Sequence, residues 1–235
     1  MSQVLQAYGM TKGIYAHRRA KPYNMGTLYW QLNDCWPAVS WSSIDGLGNW
    51  KALHYQAKKA FENVIISTSK NKNAVAVYIV NDTFSEIKDT LVISHLDFNG
   101  NVLFKEQQLV SSIENSSTIV YKYQLQNKEF DTNNTFLRIT FDESESIHYF
   151  SKPKDLNLIN EPITIEIVKN KEGFLIKLNS ETLQKNVFLF SEEKGTWQDN
   201  FFDILPGVSK EIQFKTDTEI VPIVNFKTLN QFIQN

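Results

Sequence analysis

Residues 26–61 read GTLYWQLNDCWPAVSWSSIDGLGNWKALHYQAKKAF, and the organisation of the whole chain follows from them. Leu28, Trp30 and Leu32 alternate with Thr27, Tyr29 and Gln31, a period of two that predicts a β-strand over residues 26–32. Polar groups gather just beyond it: the loop over residues 33–48 holds Asn33, Asp34, Ser40, Ser42, Ser43 and Asp45, and Gly46 and Gly48 give it freedom to turn. Asn49 then reads as the N-cap of a helix in which Trp50, Leu53, Ala57 and Phe61 face one way and Lys51, Lys58 and Lys59 the other. Strand, loop and helix make one βα unit.

Three of the five tryptophans, Trp30, Trp36 and Trp41, crowd into this short stretch together with Asn33 and Asp34. In a (β/α)8 barrel the chemistry sits at the C-terminal ends of the strands, which is where such a unit places Trp30, Asn33 and Asp34. Indoles beside amide and carboxylate groups suit a sugar, whose C–H face stacks on a ring while its hydroxyls need fixed donors and acceptors. A strand tryptophan equally serves a core, and Asn-Asp after a strand equally makes a turn. Composition leaves both readings open.

Downstream the character changes. Residues 74–80, 90–96, 102–109, 118–125, 136–141 and 147–150 are short β-branched and aromatic runs, separated by turn residues such as Asn81-Asp82 and Asn99-Gly100. This spacing predicts an antiparallel, immunoglobulin-like β-sandwich, with Asn99-Gly100 as a hairpin turn. Pro153 and Pro162 mark a boundary, after which residues 163–168, 174–178, 187–190, 196–202 and 212–214 predict a second, smaller sandwich with a turn at Pro206-Gly207. Upstream, residues 2–19 predict a helix with Val4, Leu5, Tyr8, Ile14 and Tyr15 on one face, closed by Pro22. The expected fold is therefore mainly β with an N-terminal α/β piece. Its expected domains are residues 1–62, the end of a barrel; 63–152, the first sandwich; and 153–235, the second.

Bulk properties exclude several function classes. With 24 Lys+Arg against 26 Asp+Glu, the net charge of -2 offers no basic field to nucleic acid. No run approaches the ~18 apolar residues of a membrane span. Cys35 is the single cysteine, and His17, His54, His95 and His148 show no metal-ligand spacing, so neither a metal nor any other cofactor is implied. His17 reads as a surface or packing residue. Cys35 and His54 lack a third group to complete a nucleophilic constellation.

Two blocks carry a resemblance. GTLYWQLNDCWP, then SWSSID and NWKALHYQAKKAF, closely resembles the end of the catalytic barrel in the β-mannosidases of glycoside hydrolase family 2. QDNFFDILPGVSKEIQF at residues 198–214 is similar to their last β-sandwich, and YFSKPKDLNL at residues 149–158 to the link before it. The resemblance covers essentially the whole chain. It implies the last βα unit of a (β/α)8 barrel followed by two immunoglobulin-like sandwiches, in a retaining exo-enzyme acting on terminal β-D-mannose of β-mannoside oligosaccharides. Such hydrolysis needs two carboxyl groups ~5 Å apart. In the family both are glutamates on earlier barrel strands, so no catalytic residue is expected in this chain, which is expected to be inactive without the missing N-terminal part of the enzyme.

The resemblance further implies that Trp30 forms the floor under the bound sugar. Asn33, Asp34 and Trp36 join it at the mouth as substrate contacts or as supports, with Asp34 the better candidate for support; Trp41 and Trp50 are expected to pack. Family members occur in lysosomes and in bacterial export compartments. The alternative function is a non-catalytic carbohydrate-binding or scaffolding module built on the two sandwiches.

Overall fold

A computed structural model of the chain describes residues 1–126 and 129–233. The last two residues expected in the second sandwich lie outside the described residues. The chain divides into two compact units, the first comprising residues 1–95, 103–131 and 136–149, the second residues 96–102, 132–135 and 150–235.

In the first unit, helix α1 (Ser2–Arg19) spans the predicted residues. Its buried stripe is Ala7, Ile14 and Arg18, at spacings of seven and four that keep one face. Of the residues expected on the apolar face only Ile14 is fully buried, whereas Leu5 is 73% and Tyr8 43% exposed. Helix α2 (Ala52–Ala60) buries Ala52, Leu53, Tyr55, Ala57 and Ala60 and packs on α1. Its N-cap is Lys51 rather than Asn49. Asn49 is consumed by a turn: its Nδ2 donates to Asp45 Oδ2 at 3.0 Å, and its backbone N–H donates to Asp45 Oδ1 at 2.8 Å.

The expected strand over residues 26–32 does not form. The alternation is present, but among the described residues only Gln31 and Leu32 find backbone partners, at Ser43 and Ile44, which is too little for a ladder. Isolated bridges follow it, parallel between Asn33 and Ile44 and antiparallel between Ile44 and Trp50. A strand exists through its partner, and period-two patterning supplies one face, not the partner.

The sandwich of the first unit follows the expected runs. β1 (Val64–Lys70), β2 (Ala74–Asn81) and β5 (Ser116–Gln124) form one sheet in the order β1-β2-β5. β3 (Ile87–Asp97), β4 (Val102–Ser112), β6 (Thr135–Phe141) and β7 (Ser144–Tyr149) form the other in the order β4-β3-β6-β7. β1 and β5 flank β2 antiparallel, as β7 flanks β6. Val75, Val77, Ile79, Leu91 and Phe136 are wholly buried. Burying each side chain of this size stabilises by about 1.5–3 kcal/mol.

Cationic groups at the C-terminal end of α1 tie the helices to this sandwich. Arg18, itself 8% exposed, donates to the Ala60 carbonyl at 2.5 Å and to Asp82 Oδ2 at 2.9 Å, just beyond β2. Lys21 reaches Asp82 Oδ1 at 2.5 Å and Asn115 Oδ1 at 2.9 Å. Arg19 donates to Ser67 Oγ at 2.6 Å and lies over the Tyr78 ring.

In the second unit, β8 (Thr164–Asn170), β9 (Gly173–Asn179), β11 (Thr196–Trp197) and β13 (Lys210–Lys215) run in the order β11-β13-β9-β8, and β10 (Gln184–Phe190), β12 (Phe202–Ile204) and β14 (Asn225–Lys227) in the order β12-β10-β14. The run expected as one strand over residues 196–202 splits into β11 and β12 on different sheets. Between them Asn200 accepts from the Leu189 N–H at 2.7 Å and donates to the Leu189 carbonyl at 2.9 Å, and Phe201 takes a positive φ of 56°. A side-chain amide thus replaces a backbone pair and lets the chain change sheets. β14 had no clear signal in the sequence.

One five-residue turn occurs twice, as Asp45-Gly46-Leu47-Gly48-Asn49 and as Asp97-Phe98-Asn99-Gly100-Asn101. In both, the aspartate accepts from the backbone N–H groups two and four residues on and from the asparagine side chain. In both the fourth residue is a glycine at positive φ, 86° and 88°. The second copy is the expected β3–β4 hairpin turn.

His148 on β7 makes a 2.9 Å hydrogen bond with Thr68 Oγ1. Burial, with the charges of Lys70 and Lys12 adding to it, pushes its pKa down to about 4. The unfolded chain therefore binds a proton between about pH 6.5 and 4 that the folded chain refuses. Stability is expected to be full above about pH 6.5 and to fall by up to about 3 kcal/mol as pH drops to 4. Urea denaturation of the wild type and His148→Gln at pH 7 and pH 4.5 checks this, the variant losing less stability on acidification.

Candidate functional site

The loop over residues 29–51 is built around two polar clusters. In the first, Lys51 Nζ donates to Asp34 Oδ2 at 3.0 Å, Ser42 Oγ at 2.9 Å and Ser40 Oγ at 3.3 Å. Ser40 Oγ donates to Asp34 Oδ1 at 2.5 Å, and Ser42 Oγ to the Ile44 carbonyl at 2.8 Å. The Lys51 and Asp34 side chains keep only 10% and 7% of their surface exposed. The hydrogen bond from Ser40, aided by Ser42 and Lys51 against the opposing effect of burial, holds the Asp34 carboxyl below the usual carboxylate range.

In the second cluster the fully buried Ser43 donates from Oγ to the Leu32 carbonyl at 2.9 Å. With that proton spent, Tyr29 OH at 3.0 Å and His54 Nδ1 at 3.0 Å act as donors to the same oxygen. This fixes His54 with its proton on Nδ1. Burial first, then the charge of Lys58, lowers the His54 pKa, so the ring favours its neutral form. Backbone bonds close the arrangement: Ser43 N–H donates to Gln31 and Leu32 carbonyls, and Asp34 N–H to that of Ile44.

With its interior filled by hydroxyls, a carboxylate and an ammonium, the loop turns its indoles outward. Trp30 is 74%, Trp36 71% and Trp41 61% exposed. Trp30 and Trp36 stand where a ligand can reach them. Asn33 is exposed and its side chain donates to the Asp34 carbonyl at 3.2 Å, while Asp34 lies inside. Trp41 does not pack as expected, because the loop's interior is polar and offers no apolar hole for an indole. Trp50 does pack, 4.3 Å from the His54 ring and 5.2 Å from that of Tyr55. Cys35 is exposed, and the partner of His54 is Ser43. His17 is exposed and bonds to Thr27 Oγ1 at 2.6 Å. Among the described residues no group of three or more His, Cys, Asp or Glu is placed to hold a metal ion.

Comparison with known proteins places this loop in a context. Residues 73–155 match the mannosidase Ig/CBM-like domain family and residues 158–230 an Ig-fold domain family found in mannosidases. β-Mannosidase A of Aspergillus terreus is 24% identical over 97% of this chain, which spans 28% of that relative's length. The crystal structure of a β-D-mannosidase from Dictyoglomus thermophilum superposes with a TM-score of 0.86 at 26% identity, over 97% of this chain and 29% of that one. Along almost its whole length the chain is similar to the C-terminal part of β-mannosidases. A goat β-mannosidase is 36% identical over 40% of this chain, spanning 11% of its own length. The exo-chitosanase of Amycolatopsis orientalis shares the fold at a TM-score of 0.69 and 16% identity, over 97% of this chain and 33% of its own. The chain thus spans less than a third of the length of these β-mannosidases.

Sequence reasoning missed what holds the loop together. Lys51 was expected on the solvated face of α2 and is instead buried against Asp34. The available signal was its position: a lysine at an N-cap offers no acceptor to the helix and brings the wrong charge to its end. Gly46 was read as mere freedom to turn, yet a Cβ there would lie 2.4 Å from the Trp36 carbonyl carbon and 2.6 Å from Pro37 N. No rotamer relieves a clash with backbone. Gly46→Ala is expected to destabilise the chain by about 1–3 kcal/mol and to shift its tryptophan emission, as checked by urea denaturation followed by fluorescence.

Proposed function

We propose that this chain is the C-terminal part of a retaining exo-β-mannosidase that releases terminal non-reducing β-D-mannose, and that its loop over residues 30–41 forms one wall of the sugar subsite. The observation that carries the reading is the outward display of Trp30, Trp36 and Trp41 from a loop with a satisfied polar interior. Leaving an indole in water forgoes about 25 cal/mol for each Å² of apolar surface, so three together favour a surface that something else covers. A pyranose face and the rest of the enzyme are the coverings proposed. Trp30 stacks on the sugar, Asn33 and Trp36 contact it at the mouth, and Asp34 supports them from inside the loop. The two carboxylates of the reaction come from the N-terminal part of the enzyme.

The match of residues 73–155 to an Ig/CBM-like domain favours a second reading, a carbohydrate-binding module in which the sandwiches take the ligand. Calorimetric titration of mannose and mannobiose into the chain separates the two. The first reading expects binding whose affinity falls at least about tenfold, or about 1.4 kcal/mol, in Trp30→Ala. Binding that survives Trp30→Ala supports the module. Incubation with an aryl β-mannoside is expected to release no phenol, and turnover by the 235-residue chain alone would overturn the assignment of catalysis to the N-terminal part.

A further inference from the structure

Lys51 is an anomaly as a helix cap. It stands at the N-terminus of α2, where the partial charge of the helix is positive, and its side chain makes no capping bond. No acidic residue in the first turn offsets it. Its charge is nearly removed from water, at 8% exposure for the residue. Helix stability therefore does not explain it. Its three protons go instead to Asp34, Ser40 and Ser42, which is the full donor capacity of an ammonium.

The order of those partners along the chain is informative. Trp36 lies between Asp34 and Ser40, and Trp41 lies between Ser40 and Ser42. Both indoles thus sit on segments whose two ends meet at one nitrogen. Trp30 lies outside this closure and is held through the separate bonds of Tyr29, Gln31 and Leu32 to Ser43.

We propose that Lys51 is a positioning residue for the sugar subsite, which by drawing Asp34, Ser40 and Ser42 together sets where Trp36 and Trp41 stand. Its part in sugar binding rests on the reading of the loop given above; its part in placing the two indoles does not. Two further contacts complete the frame. Gln6 Nε2 donates to the Trp41 carbonyl at 2.7 Å, and the backbone of Gly46 abuts that of Trp36. Neither contact gathers both ends of the loop as Lys51 does.

The test is fluorine NMR of the full 235-residue chain labelled with 5-fluorotryptophan, its five resonances assigned by single Trp→Phe variants. In Lys51→Met the resonances of Trp36 and Trp41 are expected to move while those of Trp30 and Trp197 stay. Lys51→Met leaves a buried carboxylate alone, so Asp34→Asn/Lys51→Met is run beside it. The double variant is expected to melt closer to the wild type while Trp36 and Trp41 remain displaced. A double variant with Trp36 and Trp41 at their wild-type positions overturns the proposal, as does one in which Trp30 and Trp197 move equally. Mannobiose titration adds the functional arm, with about a tenfold loss of affinity expected in the double variant, while wild-type affinity there overturns the subsite role of Lys51. Absence of binding by the wild type itself defeats the sugar reading, and the fluorine pattern still decides the placement of the indoles.

Discussion

The helices of the first unit are held to its sandwich by a knot of charge at the end of α1. Arg18 reaches the last carbonyl of α2 and the carboxylate of Asp82, and Lys21 shares that carboxylate. A guanidinium at a helix C-terminus is favourable, and its planar fork serves two acceptors without reorganising. The two helices are thereby joined to each other and to the end of β2 through one buried side chain. Removing Arg18 leaves the buried Ala60 carbonyl without this donor, while Asp82, a third exposed, keeps Lys21. The loop of tryptophans benefits indirectly: α1 also sends Gln3 to the first N–H of α2 and Gln6 to the Trp41 carbonyl. The loop and the start of α2 are thus both tied to α1.

The sandwiches were legible in the sequence, and the loop was not. Runs such as AVAVYIVN and TFLRITF alternate strongly, and their inward residues Val75, Val77, Ile79, Leu137 and Ile139 are wholly buried. Local pattern and global packing ask for the same conformation there. Residues 26–32 carry a strand pattern as clear as these, but pairing is a long-range event that a pattern cannot guarantee. α1 shows the same limit, because its period gave the helix and not the face that would be covered. In the second unit, the break between β11 and β12 depends on a single asparagine imitating a backbone pair, a device with no periodicity to detect.

The polar cluster was hidden for a different reason. Asp34, Ser40, Ser42 and Lys51 are ordinary surface residues by type, and nothing in their spacing says that they converge. Their burial follows from the fold of the loop, and the outward turn of the tryptophans follows in turn from their burial. Sequence reasoning put Trp36 and Trp41 in this loop but inverted the roles of Trp41 and Lys51, expecting the apolar side chain inside and the charged one outside. An interior of hydrogen-bonded polar groups, once complete, specifies one geometry more sharply than an apolar filling that can repack.

The recurring five-residue turn shows how one piece of backbone acquires different duties. Its aspartate and asparagine close the turn on themselves, so its shape needs nothing from outside. Its second position meets a different neighbour in each copy. At Phe98 that position sends a buried ring inward and its carbonyl accepts from the Leu183 N–H at 2.9 Å, so the turn is anchored by a large side chain. At Gly46 the same position is bare and lets two stretches of main chain touch. The turn is a standard fitting, and the residue in its second socket decides whether it works as a plug or as a hinge plate.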